Sequence, residues 1–272
     1  MFGSTTDSVG VALQWDGTVW SRTGVPSSGD EVSSLNDVTA ISSTDAWAVG
    51  NAGSSAIGRT LALHWNGSAW TPVATPSPGT RDSTLLAATG SSTSDVWAVG
   101  YFRDLPYGNR ARHSLAMHWN GSSWSRTSTP DFGDAAHAQT VLSDVVELSP
   151  ADVWAVGYTN GIGGSNRAVV LRWGGTTWNE APAPGLASLS SITALSATDI
   201  WATGLDSSGQ PRVANWRGSG WTVTKAPTPS SAPNAFLPAL TAAEPSTLLA
   251  VGSTWDSTTG ESHPLALRGT GG

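Results

Sequence analysis

Apolar positions along this chain fall into short runs separated by polar, glycine- and proline-containing stretches, and no window carries a convincing helical period. One kind of run is DAWAVG at 45–50, DVWAVG at 95–100, DVWAVG at 152–157, DIWATG at 199–204 and a decayed TLLAVG at 247–252. These segments are apolar on both alternating faces, as in Val96 and Ala98 against Trp97 and Val99, which predicts strands covered on both sides. A second kind is QWDGTVW at 14–20, HWNGSAW at 64–70, HWNGSSW at 118–124, RWGGTTW at 172–178 and NWRGSGW at 215–221. Its D-G, N-G or G-G dipeptide between two apolar flanks predicts a hairpin with a two-residue turn.

The two kinds alternate strictly, with the closing Gly50, Gly100, Gly157, Gly204 and Gly252 spaced 50, 57, 47 and 48 residues apart. Each period reads as four strands. Strand a is a run such as LNDVTAIS or SSITALS, strand b the VWAVG segment, strand c LALHW or a variant, and strand d starts at the second Trp. A tight S-x-x-D turn joins a to b. Antiparallel four-stranded units of this length predict an all-β, five-bladed β-propeller. The blades span 31–76, 84–130, 140–184, 187–229, and 235–256 completed by 9–25 in a single domain. The last assignment rests on strand count: the N-terminus supplies c and d, and the C-terminus supplies a, b and a further c. The hairpin at 11–22 keeps both Trp15 and Trp20, whereas the C-terminal LALR has no tryptophan, so the hairpin is expected to close the fifth blade. A terminal strand swapped between two molecules, or a piece cut from a longer array, would balance the same count.

Composition narrows the partners. With no cysteine in 272 residues there is neither a disulfide framework nor a thiolate metal site. A formal net charge of −7 lacks the basic footprint that grips phosphate backbones, which argues against nucleic acid. No run approaches the roughly 20 apolar residues of a membrane span. Lys225 is the only lysine, and the Ser, Thr, Gly and Ala bias is associated with exported proteins of GC-rich bacteria, so a secreted or extracellular location is expected. All but Trp255 of the 15 tryptophans lie in the repeated motifs.

On those residues, the DVWAVG and HWNGxxW repeats resemble the Trp-rich β-propeller repeats of bacterial, especially actinobacterial, proteins, over nearly the whole chain. The c–d turn is similar to the Asp-box hairpin of sialidase-like propellers, without its leading Ser. Five blades of this length resemble the tachylectin type of lectin in architecture. The resemblance implies the propeller fold; function has to come from the site.

The b–c and d–a loops are the long, variable ones, and they lie on one face, where a ligand is expected. The repeated Asp45, Asp95, Asp152 and Asp199 sit at tight turns on the opposite side, so a structural role is expected of them. Trp47, Trp97, Trp154 and Trp201 are expected between blades. His64 and His118, replaced by Gln14, Arg172 and Asn215 in other units, suit a partly exposed polar position and lack ligand spacing for zinc. Just before strand c, Arg59, His113, Arg167 and His263 correspond, with Arg212 one residue out of register. Such a basic series either donates to sugar hydroxyls and carboxylates or pairs with loop carboxylates such as Asp82, Asp134 and Asp206. The second blade breaks the repeat most. Its loop brings Tyr101, Arg103, Asp104, Tyr107 and Arg112 together with His113, and the following segment adds Asp131, Phe132, Asp134 and His137. Aromatic faces beside charged planar groups suit a sugar; a lid over a central channel is the alternative.

The leading expectation is a non-enzymatic, lectin-like propeller that binds glycans or cell-envelope polysaccharide through the variable face, with no cofactor and no metal. The rivals are a glycoside hydrolase or lyase with one central site, and a protein-interaction scaffold in a larger assembly. Hydrolysis needs two carboxyl groups roughly 5 to 9.5 Å apart. Asp104, Asp131, Asp134, Asp206 and Asp256 are available for it, but nothing in their sequence context pairs them.

Overall fold

The computed structural model describes residues 10–26, 32–53, 57–104, 111–130, 132, 139–160, 165–228, 234–244, 246–256 and 259–271. Among these there are strands and no helix. The chain divides into two compact units, Met1–Thr127 and Ser128–Gly272. In the first, β1 (Ala12–Trp15) and β2 (Trp20–Thr23) form a two-stranded hairpin, followed by two blades. Blade one is β3 (Val32–Ser42), β4 (Asp45–Gly53), β5 (Gly58–Trp65) and β6 (Trp70–Val73). Blade two is β7 (Asp82–Ser92), β8 (Asp95–Arg103), β9 (His113–Trp119) and β10 (Trp124–Thr127). The second unit holds three more. Blade three is β11 (Gln139–Ser149), β12 (Asp152–Asn160), β13 (Asn166–Trp173) and β14 (Trp178–Glu180); blade four is β15 (Ser188–Ser196), β16 (Asp199–Leu205), β17 (Pro211–Trp216) and β18 (Trp221–Lys225). Blade five is β19 (Asn234–Glu244), β20 (Thr247–Asp256) and β21 (Glu261–Thr270). The fold class is all-β with five antiparallel blades of β-propeller type, as the period predicts.

Within each unit, the blade faces that meet are apolar because each covers the other. The forward face of strand b in blade one carries Trp47 and Val49, which share a core with Leu85, Ala88, Val96 and Ala98 on the rear face of blade two. Blade three repeats this with Trp154 and Val156 against Leu189, Ile192, Ile200 and Ala202 of blade four. Polar ties run the same way. Asp37 Oδ2 accepts from the Ala88 amide at 2.8 Å, Asp144 Oδ2 from the Ile192 amide at 2.8 Å, and Ser191 Oγ from the Leu240 amide at 3.1 Å. These acceptors fill register-equivalent places on strand a, so one blade satisfies a backbone donor of the next.

Burial pushes the Asp37 carboxyl up, against the lowering effect of its bonds to the Ala88 and Val38 amides. A carboxyl raised on folding holds its proton more tightly in the folded state, so stability falls as pH rises from the ordinary value through the raised one. Asp37→Asn keeps an acceptor oxygen and removes that titration. Urea unfolding from about pH 3 to about pH 7 is therefore expected to show wild type losing stability relative to Asp37→Asn as pH rises; parallel curves would contradict it.

Several local expectations are corrected. The c–d hairpin turns on the glycine and the residue after it, with Gly17, Gly67, Gly121, Gly175 and Gly218 all at positive φ. The preceding side chain is an acceptor: Asn66 Oδ1 takes the Ser68 and Ala69 amides at 3.0 Å each, and Asn120 and Asp16 do the same. The bonds from Val19 and Thr18 hold the Asp16 carboxyl below its usual value. At the a–b turn the serine accepts, Ser42 from Thr44, Ser92 from Ser94 and Ser196 from Thr198. Its hydroxyl is two residues from the amide it serves, whereas the aspartate is already in strand b.

The largest correction concerns the fifth blade. β21 lies along β20 over ten paired positions, from Thr247↔Thr270 to Asp256↔Glu261, while β1 pairs with β2 alone. The place read for the hairpin at 9–25 is thus taken by the C-terminal strand, whose missing tryptophan does not affect a backbone ladder. β21 follows β20 through a short turn at Gly260, whose amide donates to Asp256 O at 2.9 Å, and a local closure costs less chain entropy than a distant one.

Candidate functional site on the variable loops

The aspartates that open strand b hold side chains of strand c. Asp45 Oδ1 lies 2.8 Å from His64 Nε2, Asp95 Oδ1 2.7 Å from His118 Nε2, and Asp199 Oδ1 accepts from Asn215 Nδ2 at 2.7 Å. Asp152 takes Arg172 in a two-point pair at 2.7 and 2.9 Å, and this bond raises the affinity of Arg172 for its proton. Three of these four donors also cover an indole: His64 sits 4.7 Å from Trp47, His118 4.4 Å from Trp97, and Arg172 5.1 Å from Trp154. The variation His, His, Arg, Asn is therefore a set of alternative donors to one carboxylate. No group of three or more metal-ligating side chains occurs among the described residues.

The second-blade cluster is partly assembled. Arg112 Cζ stands 4.5 Å from the Tyr101 ring centroid, with Arg103 at 5.9 Å on the same half-exposed ring. Phe102, on the other face of β8, is buried and stacked by His113 at 5.1 Å, with Arg126 Cζ at 4.4 Å. Arg103 Nε lies 3.9 Å from Asp82 Oδ2. Asp104 is exposed, and its carbonyl accepts from Thr80 Oγ1 at 2.6 Å. Tyr107, Asp131, Asp134 and His137 lie outside the described residues. The structure thus joins Tyr101, Arg103 and Arg112 around one ring and turns His113 to a different one.

The basic series is real in register and largely engaged in local pairs. Arg59 opposes Ala52, His113 opposes Phe102, Arg167 opposes Thr159 and His263 opposes Thr254, one equivalent place on each hairpin. Arg212 opposes Gly204, two places further along rather than one, because the b–c turn of blade four is shorter. Arg212 Nε and Nη2 bond Asp206 Oδ2 at 2.9 and 2.6 Å. Asp206 also accepts the Gln210 and Ser208 amides, and the Gln210 bond leads these contacts in lowering its pKa. Arg167 bonds Glu180 at 2.6 Å and lies 5.1 Å from the Phe132 ring. His263 lies 3.7 Å from Glu261. Arg59 is exposed.

A feature that the sequence reading missed lies in the second unit on the variable side. A cavity of about 450 Å³ is lined by Ser165 and Asn166 at the start of β13, Ala187 and Ser188 at the start of β15, and Leu205, Asp206, Ser207 and Gly209 of the following b–c turn. Hydroxyl, amide and carboxylate groups thus meet in one concave space between adjacent blades, the mix that polyhydroxylated ligands use. The only signal in the sequence was small polar residues at both loop ends, which ordinary turns share.

The sequence matches no known family profile and no curated protein. The fold has solved relatives. A structure described as SapL1 lectin with alpha methyl fucoside superposes with a TM-score of 0.50 and 17% identity, over 84% of this chain and 78% of that one. The Aleuria aurantia lectin, described as a six-bladed β-propeller with a fucose recognition mode, gives 0.52 and 14% over 86% and 77%. The polysaccharide lyase Uly1 gives 0.51 and 13%, over 82% of this chain and 55% of that one. At these identities the likeness is one of fold: the chain is similar in architecture to fucose-binding propeller lectins and to a polysaccharide lyase.

Proposed function

We propose that this protein is a carbohydrate-binding, lectin-like propeller that takes glycans through its b–c and d–a loops, as an extracellular protein. The polar cavity of about 450 Å³ between the third and fourth blades carries the reading. Asp206 is held in place there by Arg212 and two backbone amides, so its wall is rigid before a ligand arrives. Pre-ordered hydrogen-bonding groups lower the ordering cost of a weak polar ligand. Tyr101 flanked by two guanidinium groups supplies an aromatic face on the equivalent side of the first unit. The propeller lectins named above support the reading by their architecture.

A glycan array followed by calorimetric titration tests it, with methyl α-fucoside as one probe. Asn166→Ala removes an exposed amide from the cavity wall, and Tyr101→Ala removes the ring from the first-unit cluster. Each is expected to weaken binding three- to tenfold, about one neutral hydrogen bond or stacking contact. The thermal transition of Asn166→Ala should be nearly unchanged, since exposed substitutions usually alter stability by less than about 0.5 kcal/mol, and for the half-buried Tyr101 circular dichroism checks that the variant still folds. Binding that ignores both would discard the variable-face reading, and polysaccharide cleavage would replace it with the lyase or hydrolase one.

A further inference from the structure

The exposed large hydrophobic residues among those described are not scattered. All but Ile57 and Val223 lie in the first hairpin, on β3 of blade one, or on blade five. They come in two sets, and each set is half of a contact that blades elsewhere make in full.

The first half is on blade four and blade five. Trp47 is 1% exposed beneath the c–d tryptophans of the next blade, with Trp119 at 4.8 Å and Trp124 edge-on at 5.2 Å. Trp154 has Trp216 at 5.5 Å in the same way. Trp201 is the equivalent of these on blade four. It is only partly buried, packed against Leu237, Leu240 and Leu248 of blade five, and no indole covers it among the described residues. The reason is on β21, which brings Gly269 opposite Leu248, where β5, β9, β13 and β17 bring Trp65, Trp119, Trp173 and Trp216. Blade five also has no fourth strand among the described residues.

The second half is the first hairpin. Trp15 and Trp20 stand 5.6 Å apart as a cross-strand pair of the same kind, yet they are 49% and 66% exposed, with no third indole stacked on them among the described residues. Among the described residues β1 has one ladder partner, β2, which leaves its other edge without a strand. The hairpin rests on blade one, where Trp70 Nε1 donates to Thr23 Oγ1 at 3.0 Å. Beside it an apolar pocket of about 260 Å³ opens among Leu13, Trp15, Val38, Ala46, Trp65 and Trp70. Val38, on its wall, is 60% exposed, whereas the equivalent Ala88, Ile192 and Leu240 are buried by a preceding blade.

We infer that the first hairpin of one molecule docks on the fifth blade of a second copy, with β1 replacing β21 along β20 and β2 supplying the missing fourth strand. In that register Gln14 opposes Leu249 as His64 opposes Trp47, and Trp15 with Trp20 covers Trp201 as Trp119 with Trp124 covers Trp47. Leu249 and Val251, which are 39% and 50% exposed, then enter the pocket over blade one of the copy that donates the hairpin. The exchange replaces the ten-pair ladder of β21 with a shorter antiparallel ladder from the four-residue β1. Its driving force is the apolar surface that both ends expose. The contact is head-to-tail rather than self-complementary, so it builds chains or closed rings of copies.

Because the protein has no cysteine, two introduced thiols report on this alone. Gln14→Cys and Leu249→Cys are made singly, mixed and oxidised gently. The mixture is expected to give a covalent dimer at about twice the 27.9 kDa chain mass, several-fold above either variant by itself. Adding Trp15→Ser and Trp20→Ser to the Gln14→Cys chain should cut the yield several-fold, while circular dichroism confirms that the chain still folds. The inference is overturned by a mixture that gives no more dimer than the single variants, by a double variant whose disulfide closes within one chain, or by a yield indifferent to the tryptophans. Sedimentation of the unaltered protein should show mass rising with concentration, and a monomer at every concentration would equally reject it.

Discussion

Trp47→Ala is expected to lower the stability of the first unit by about 3–5 kcal/mol, the range for truncating a fully buried large aromatic. The indole is 1% exposed and shares one core with Leu85, Val96 and Trp124 of the next blade. Its loss leaves a cavity in the wedge between two sheets that are tied by backbone ladders and cannot easily close on it. Leu249→Ala removes the register-equivalent side chain from blade five, where it is 39% exposed. It should therefore cost far less in dilute solution. Denaturant unfolding of the two variants gives the comparison; equal losses would show that the forward face of blade one is not the tight contact described.

Gly157→Ala is the second large effect. A Cβ there would collide with the carbonyl oxygen of Val141 and crowd Cα of Leu142. The ladder between β11 and β12 shifts register there, between Leu142 and Asp144, and the bulge drives the partner strand's backbone into the space. Backbone cannot swing aside as a side chain can, so the cost is expected at or beyond the about 1–3 kcal/mol of overpacking. Gly174→Ala is the control, since nothing lies within 4 Å of its Cβ position. If Gly157→Ala melts with wild type, the close approach does not hold. The same clash recurs at Gly50, Gly100, Gly204 and Gly252, which gives the invariant last letter of the motif a steric cause.

Much of the candidate site was not legible. Tyr101, Arg103 and Arg112 were picked out as an insertion rich in aromatic and charged residues, and they meet because β8 and the residue just before β9 face each other across one hairpin. The basic series was seen as a pattern, yet whether each member is free or paired depends on where a carboxylate arrives from another strand. Glu180 comes to Arg167 from β14 and Asp206 to Arg212 from a turn, neither at a spacing that marks a pair. The polar cavity joins three segments, and no single one of them is unusual. The aspartate of DVWAVG carried a half-readable signal: its partner varies among His, Arg and Asn, all of them donors.

The period of about 50 residues and the two tryptophan motifs determined by themselves the all-β class, the blade as the unit, the strand order within it and the burial of Trp47, Trp97 and Trp154. They could do so because blade structure is local: hairpins join neighbours in sequence, and alternation assigns each side chain to a face. The tertiary structure alone decided which terminal strand lies on β20, since β1 and β21 carry the same alternating pattern and either could form the ladder. It alone decided which polar side chains share a cavity, because that is set by the stacking of blades. Two ends with matching sequence patterns are degenerate to any local rule, and only the three-dimensional contact separates them.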